Sequence, residues 1–222
     1  MCPMTSPLAD LEAILSRYDP APKWDLSGRI AAAICIPITD SIAGLEAWVI
    51  RRPAWLRHHG GEFSFPGGKT EPGDVDLKAT ALREAAEELG IPAAALRIIG
   101  LLSPIPVVTS EFAIHPVVAF VAPAEQPQPA AAEVAELIRT PMAAFYDGRI
   151  VYEAVDMQEY VSPIFRFASG RMFGASAHVL LELLTLYASV TGRELPQPVM
   201  VDEAPWAAPN SAPRAVDDSP SR

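Results

Sequence analysis

Cysteine is almost absent from this chain. Cys2 and Cys35 are the only two in 222 residues, which excludes a disulfide framework and points to a reducing compartment, the cytoplasm. Basic residues are in deficit, 17 Lys and Arg against 27 Asp and Glu, for a formal net charge of −10. Nucleic acid and anionic membranes are held by basic surfaces that displace counterions, so neither is an expected partner. A small anionic substrate is not excluded, because screening acts over about 8 Å at physiological salt and local cations decide what binds. No apolar run approaches the length of a membrane span. Asp10 and Glu12 stand where a secretion signal would be basic and then apolar. Histidine is sparse, and His115, before Pro116, has no second histidine at metal-ligand spacing. Gly68-Lys69-Thr70 resembles the end of a phosphate-binding P-loop, but Phe63 occupies the position of that loop's first glycine.

What remains is one sizeable core, since half of the residues are apolar. Leu8, Leu11, Ile14 and Leu15 mark one face of a short helix opening at Ser6-Pro7. Ile30 to Ile38 reads as a buried strand, with Pro37 near its end or on an edge. Leu45 to Ile50 completes a hairpin with it. Strands are expected over Leu96 to Leu102 and Val117 to Val121, with Pro104, Pro106 and Pro116 breaking the ground between them. Pro123 to Ala132 reads as a loop, and Pro141 opens a short helix through Phe145. Val151 to Phe167 suggests a late hairpin around Ser162-Pro163, and Gly174 to Val190 an amphipathic helix containing a structural His178. From Pro196 onward prolines abound and large apolar groups are few, the composition of a disordered tail. The organisation expected is therefore residues 1–27 as a helix and lead-in, 28–192 as the main domain and 193–222 as the tail.

The stretch from Phe65 to Ile91 carries the chemistry. At about 100° per residue, Leu82, Ala85, Ala86 and Leu89 share one sector, while Glu84, Glu87 and Glu88 cluster nearly opposite with Arg83 on the flank. Carboxylates three and four apart repel by about 0.2–0.5 kcal/mol per pair, which a divalent cation among them would offset. A glutamate-rich helix face is by itself an ordinary solvent face. The preceding Gly67-Gly68 adds a turn that can take positive φ and present backbone carbonyls beside the helix, although it could equally close a hairpin.

Gly68, an acidic loop and then Arg83-Glu84-Ala85-Ala86-Glu87-Glu88-Leu89-Gly90-Ile91 resemble the box of the Nudix hydrolases. The second half of the box matches throughout. In the first half, five residues separate Gly68 from Asp74 and eight separate Asp74 from Arg83, where the family has five and seven around a glutamate; strict counting back from Arg83 reaches Val75. The resemblance implies an α+β fold, the Nudix α/β/α sandwich with a mixed sheet. It also implies hydrolysis of a nucleoside diphosphate derivative with Mg²⁺ or Mn²⁺ held by Glu84, Glu88, Glu87 and the Gly68 carbonyl. Arg83 would position a helix glutamate. Glu133 and Glu136 are candidates for a carboxylate contributed by a later loop.

Upstream, Arg52, Arg57, Gly61 and Phe65-Pro66-Gly67-Gly68 stand at the spacing of the coenzyme A diphosphatase signature. Pro53, Ile50 and Glu62 depart from that signature's usual residues. It implies Arg52, Arg57, Gly67 and Gly68 as substrate contacts and coenzyme A or an acyl derivative as substrate. ADP-ribose or a dinucleotide is the alternative substrate, and a non-catalytic nucleotide-binding module the alternative role. Oligomeric state is not legible.

Overall fold

The computed structural model describes residues 6–56 and 59–206. Twelve strands are present among them: β1 (Ile30–Ser41), β2 (Gly44–Arg51), β3 (Phe63–Ser64), β4 (Gly67–Lys69), β5 (Leu96–Leu101), β6 (Ile105–Pro106), β7 (Phe112–Val121), β8 (Glu136–Pro141), β9 (Val151–Asp156), β10 (Val161–Phe167), β11 (Gly170–Met172) and β12 (Val199–Met200). The helices are α1 (Pro7–Leu15), α2 (Leu77–Leu89) and α3 (Gly174–Thr191). The first eight strands form one mixed sheet with the central order β3-β2-β1-β7-β5, and β9 to β12 form a second.

β1 runs parallel to β7 along Ile30 to Ile38 and is buried from Ala32 to Thr39, as a strand covered on both faces must be. On one face Ala33, Cys35, Trp48, Ile50, Val117 and Ala119 pack with Ala81, Ala85 and Leu89 of α2. On the other, Ile34, Ile36, Ile38, Val49, Phe63, Phe65 and Val118 join residues from α1, α3 and the second sheet. Helices on both faces of a mixed sheet give the expected α+β layering.

Three prolines depart from the sequence expectation, for one reason. Pro37 lies inside β1, Pro116 inside β7 and Pro163 inside β10. The second edge of β1 pairs β4 at Ala32–Ile34 and β2 only from Ile38. Cys35 donates its N–H towards that edge, to Pro66 O at 2.8 Å, so the missing N–H of Pro37, two residues on, falls in the gap. Pro116 similarly falls between the β6 partners Ala113 and Ile114 and the β5 partners beginning at Val117. Pro163 lies before the segment of β10, Phe165–Phe167, that pairs β11. A proline is tolerated in a strand where no ladder bond is missed. The late hairpin therefore turns over residues 157–160, with Gln158 at φ 70°, and not at Ser162-Pro163.

The C-terminal expectation also changes in part. β12 adds in parallel to β9, Val201 N–H donates to Ala154 O at 2.9 Å, and the Trp206 ring meets Phe173. Residues 207–222 of the expected tail lie outside the described residues, as does Cys2. Among the described residues no helix is long and apolar enough to cross a membrane.

Candidate active site

α2 begins where the Asp76 side chain accepts from Ala79 N–H at 2.8 Å, and stops at Gly90, left-handed at φ 63°. Its N-terminal loop is braced by one arginine. Arg83 donates through Nε and Nη2 to both carboxylate oxygens of Asp74, each at 3.1 Å, and through Nη2 to Lys69 O at 3.0 Å. Its Nη1 reaches Glu84 Oε1 at 3.1 Å and Glu87 Oε2 at 3.2 Å. Asp74 also accepts from Thr80 Oγ1 and Glu71 N–H, both at 2.9 Å. The guanidinium holds its carboxyl well below the usual carboxylate range. Asp74 is thus a clamp on Arg83, while Val75, at the counted-back position, is 90% exposed.

Two expectations about this stretch are corrected. Gly67 and Gly68 do not close a turn at positive φ; they form β4, with Gly68 opposite Ala33 and Gly67 opposite Ile34. Close approach to the backbone of β1 requires glycine at 67, while at 68 the absent Cβ leaves space that the Glu84 carboxylate occupies. A Cβ on Gly67 would stand 2.4 Å from Ala33 O, and one on Gly68 would stand 2.3 Å from Glu84 Oε1. Nor does Glu88 lie on the solvent side of α2. It is 2% exposed, flanking the buried stripe of Ala81, Ala85 and Leu89. Leu82 and Ala86 are only partly buried.

Burial pushes the Glu88 carboxyl up to about 8, against the opposing pull of the Arg52 charge and the Gly67 N–H, with Glu133 and Glu84 pushing it further up. Burial likewise raises Glu84, opposed by Arg83 and reinforced by Glu87 and Glu133. Three of the expected residues, Arg52, Glu84 and Glu133, therefore act on Glu88, and Glu133 acts on Glu84 as well. Glu87 is the most exposed of the three helix glutamates, its side chain 61% accessible. Glu136 is placed elsewhere. Residues of β2 alternate between the sheet's faces, so Arg51 points away from α2, and Glu136 pairs with it at 3.1 Å on that far side. Arg57 lies outside the described residues.

Glu133 reaches the site because its segment is laced to α2. Gln128 N–H donates to Leu89 O and Ala130 N–H to Glu88 O, each at 2.9 Å, and Val134 is buried beneath. Two open grooves, of about 420 Å³ beside α3 and about 600 Å³ beside His115, are lined by none of the three helix glutamates.

The donor set suits a hard cation in part. Glu88 Oε2 is buried without a hydrogen-bond partner among the described residues, and the Glu84 carboxylate sits where a Cβ on Gly68 would be. No three His, Cys, Asp or Glu side chains among the described residues stand close enough to hold a metal alone. The pair would need backbone and substrate oxygens to complete the six or more oxygen ligands that such ions take.

The NUDIX domain family model matches residues 28–160. The chain is 35% identical over 136 residues to the protein named "Uncharacterized Nudix hydrolase NudL" from Citrobacter koseri, covering 60% of this chain and 70% of that one. To the protein of the same name from Cronobacter sakazakii it is 37% identical over 142 residues, covering 62% and 72%. Among solved structures, a Nudix hydrolase from M. smegmatis, RenU, is similar at 23% identity and a TM-score of 0.42, over 54% of this chain and 75% of that one. The chain belongs to the Nudix family. Nudix hydrolases act on nucleoside diphosphate derivatives and generally use divalent metal cations.

Proposed function

We propose that the chain hydrolyses the diphosphate linkage of coenzyme A or an acyl-CoA, giving adenosine 3',5'-bisphosphate and (acyl-)phosphopantetheine. The observation that carries this reading is the position of Arg52. It belongs to the upstream signature and brings its charge to Glu88 on the α2 face of the sheet, where it can meet a diphosphate oxygen as well as the carboxylate. Glu84, Glu88 and the Gly68 carbonyl are the groups that would hold Mg²⁺ or Mn²⁺, with Glu87 nearby. The cation, when bound, supplies neutralisation of phosphoryl charge and a more acidic water.

The remaining work falls to side chains. Arg83 fixes Glu84 and Glu87 at the mouth of the site, so that the helix carboxylates meet substrate already oriented. Glu133, exposed on its strap beside Glu84 and Glu88, is the carboxylate we assign to take the proton from the attacking water. A cytoplasmic setting agrees with Cys35, a free and buried thiol.

Product analysis after incubation with coenzyme A, ADP-ribose and a dinucleoside polyphosphate tests the reading, using wild type and Glu88→Gln, with Mg²⁺ and with chelator. Cleavage of coenzyme A that requires metal and Glu88 is expected. Preferred cleavage of ADP-ribose would overturn the substrate, and nucleotide binding without products would overturn the enzyme.

A further inference from the structure

Ser64 is a polar residue between two aromatic ones, and the alternation of a strand decides where it points. Phe63 and Phe65 are both buried in the core on the side away from α2. Ser64 therefore projects to the α2 face, as does its cross-strand partner Ile50, which packs with Ala81, Ala85 and Leu89. Arg52, two residues beyond Ile50, lies on that face too and acts on Glu88.

Four buried polar atoms on this face lack a hydrogen-bond partner among the described residues: Trp48 Nε1, in β2 four residues before Arg52, and the set that concerns the site, Ser64 Oγ, Arg52 Nε and Glu88 Oε2. A buried group left unsatisfied is costly, and native proteins leave few of them. Ser64 and Arg52 are diagonal neighbours across β3 and the end of β2, and the Arg52 charge acts on Glu88, so two donors and an acceptor are offered to something polar on this face. A phosphoryl oxygen would accept from the two donors, leaving Glu88 Oε2 to a cation on the same phosphate.

We propose that Ser64 is a substrate-binding residue, whose hydroxyl donates with Arg52 Nε to an oxygen of the diphosphate group. This rests on the reading of the chain as a diphosphate hydrolase. It adds a residue that neither the helix box nor the upstream arginine pattern contains.

The test compares wild type with Ser64→Ala in three measurements: affinity for inorganic pyrophosphate with Mg²⁺ by calorimetry, rate on coenzyme A, and thermal midpoint. Loss of one hydrogen bond to a charged group predicts roughly 10- to 100-fold weaker pyrophosphate binding and a similar fall in kcat/KM. The thermal midpoint should hold or rise, because the substitution removes an unsatisfied hydroxyl. A midpoint that falls with binding unchanged would make the hydroxyl structural and overturn the proposal. Equal affinity and rate in the two proteins would overturn it while leaving the hydrolase reading intact. Wild type that binds pyrophosphate through Ser64 but cleaves no substrate would support the site and sink the hydrolase. Wild type that does not bind pyrophosphate would overturn the site.

Discussion

Glu88→Gln should change how stability depends on pH, and the direction follows from burial. The carboxyl of Glu88 is pushed up to about 8 from the ordinary 4.5. Between these values the folded protein keeps a proton that the unfolded chain has lost, so this group's contribution to stability is fully present below pH 4.5 and is lost as pH rises through 8. At 1.36 kcal/mol per unit, the difference amounts to about 5 kcal/mol by pH 8 and above. For a chain of this size, that corresponds to roughly 10–20 °C in thermal midpoint. Glutamine keeps the shape and removes the titration. Metal-free wild type and Glu88→Gln should therefore be compared by thermal or urea unfolding from pH 5 to pH 9, in chelator. Their difference should grow steadily in favour of the variant up to about pH 8 and then level. Subtraction also removes His178, which acts oppositely. Mg²⁺ should stabilise wild type increasingly over the same range and should lose that effect in the variant. Parallel pH profiles would refute the reasoning, because they would mean that Glu88 is solvated or fully paired in the folded protein.

Gly68→Ala places a Cβ at 2.3 Å from Glu84 Oε1, so Glu84 must swing away. Calorimetric affinity for Mn²⁺ should fall by about tenfold or more, the scale of a disturbed ligand support, with the fold retained by circular dichroism. His178 is pushed down to about 4 by burial and the Lys23 charge, between the Trp24 and Tyr160 rings. Stability should therefore rise with pH between 4 and 6.5, by about 3 kcal/mol at 1.36 kcal/mol per unit. His178→Asn should flatten that limb of the unfolding curve; a retained limb would place the titration elsewhere.

Much of the fold was legible because periodicity is a local property. The Ile30–Ile38 run, the leucine-rich helix after Gly174 and the box helix can each be read from a dozen residues. What was misplaced depended on partners distant in sequence. Pro37, Pro116 and Pro163 look like strand breakers until the neighbouring strands are known to leave gaps beside them. Glu88 belonged to the solvent face by residue type, yet by angle it borders Ala81 and Ala85. Its burial goes with the nearness of β4, whose Gly67 N–H acts on its carboxylate. The Phe-Ser-Phe alternation around Ser64 was a readable signal, but the missing partner of its hydroxyl was not. Glu133 and Glu136, equivalent as letters three apart, are separated by the onset of β8, which sends Glu136 across the sheet.

The lacing of the 123–134 segment to α2 gives this loop an unusual exactness. Surface loops ordinarily absorb insertions and deletions, because nothing along them is measured against the rest of the molecule. Here the helix's final carbonyls are taken by Gln128 and Ala130, and Gly90 lies so close to Gln128 O that a Cβ would stand 2.1 Å from it. The strap works as a ruler graduated in peptide units, with its zero at the end of the helix. Glu133 sits three residues beyond the last fixed mark. Lengthening the strap before Gln128 would be taken up as slack, whereas one residue added between Ala130 and Glu133 would shift the carboxylate by a full step relative to Glu84 and Glu88. Variation in length is thus expected on one side of Gln128 and not on the other.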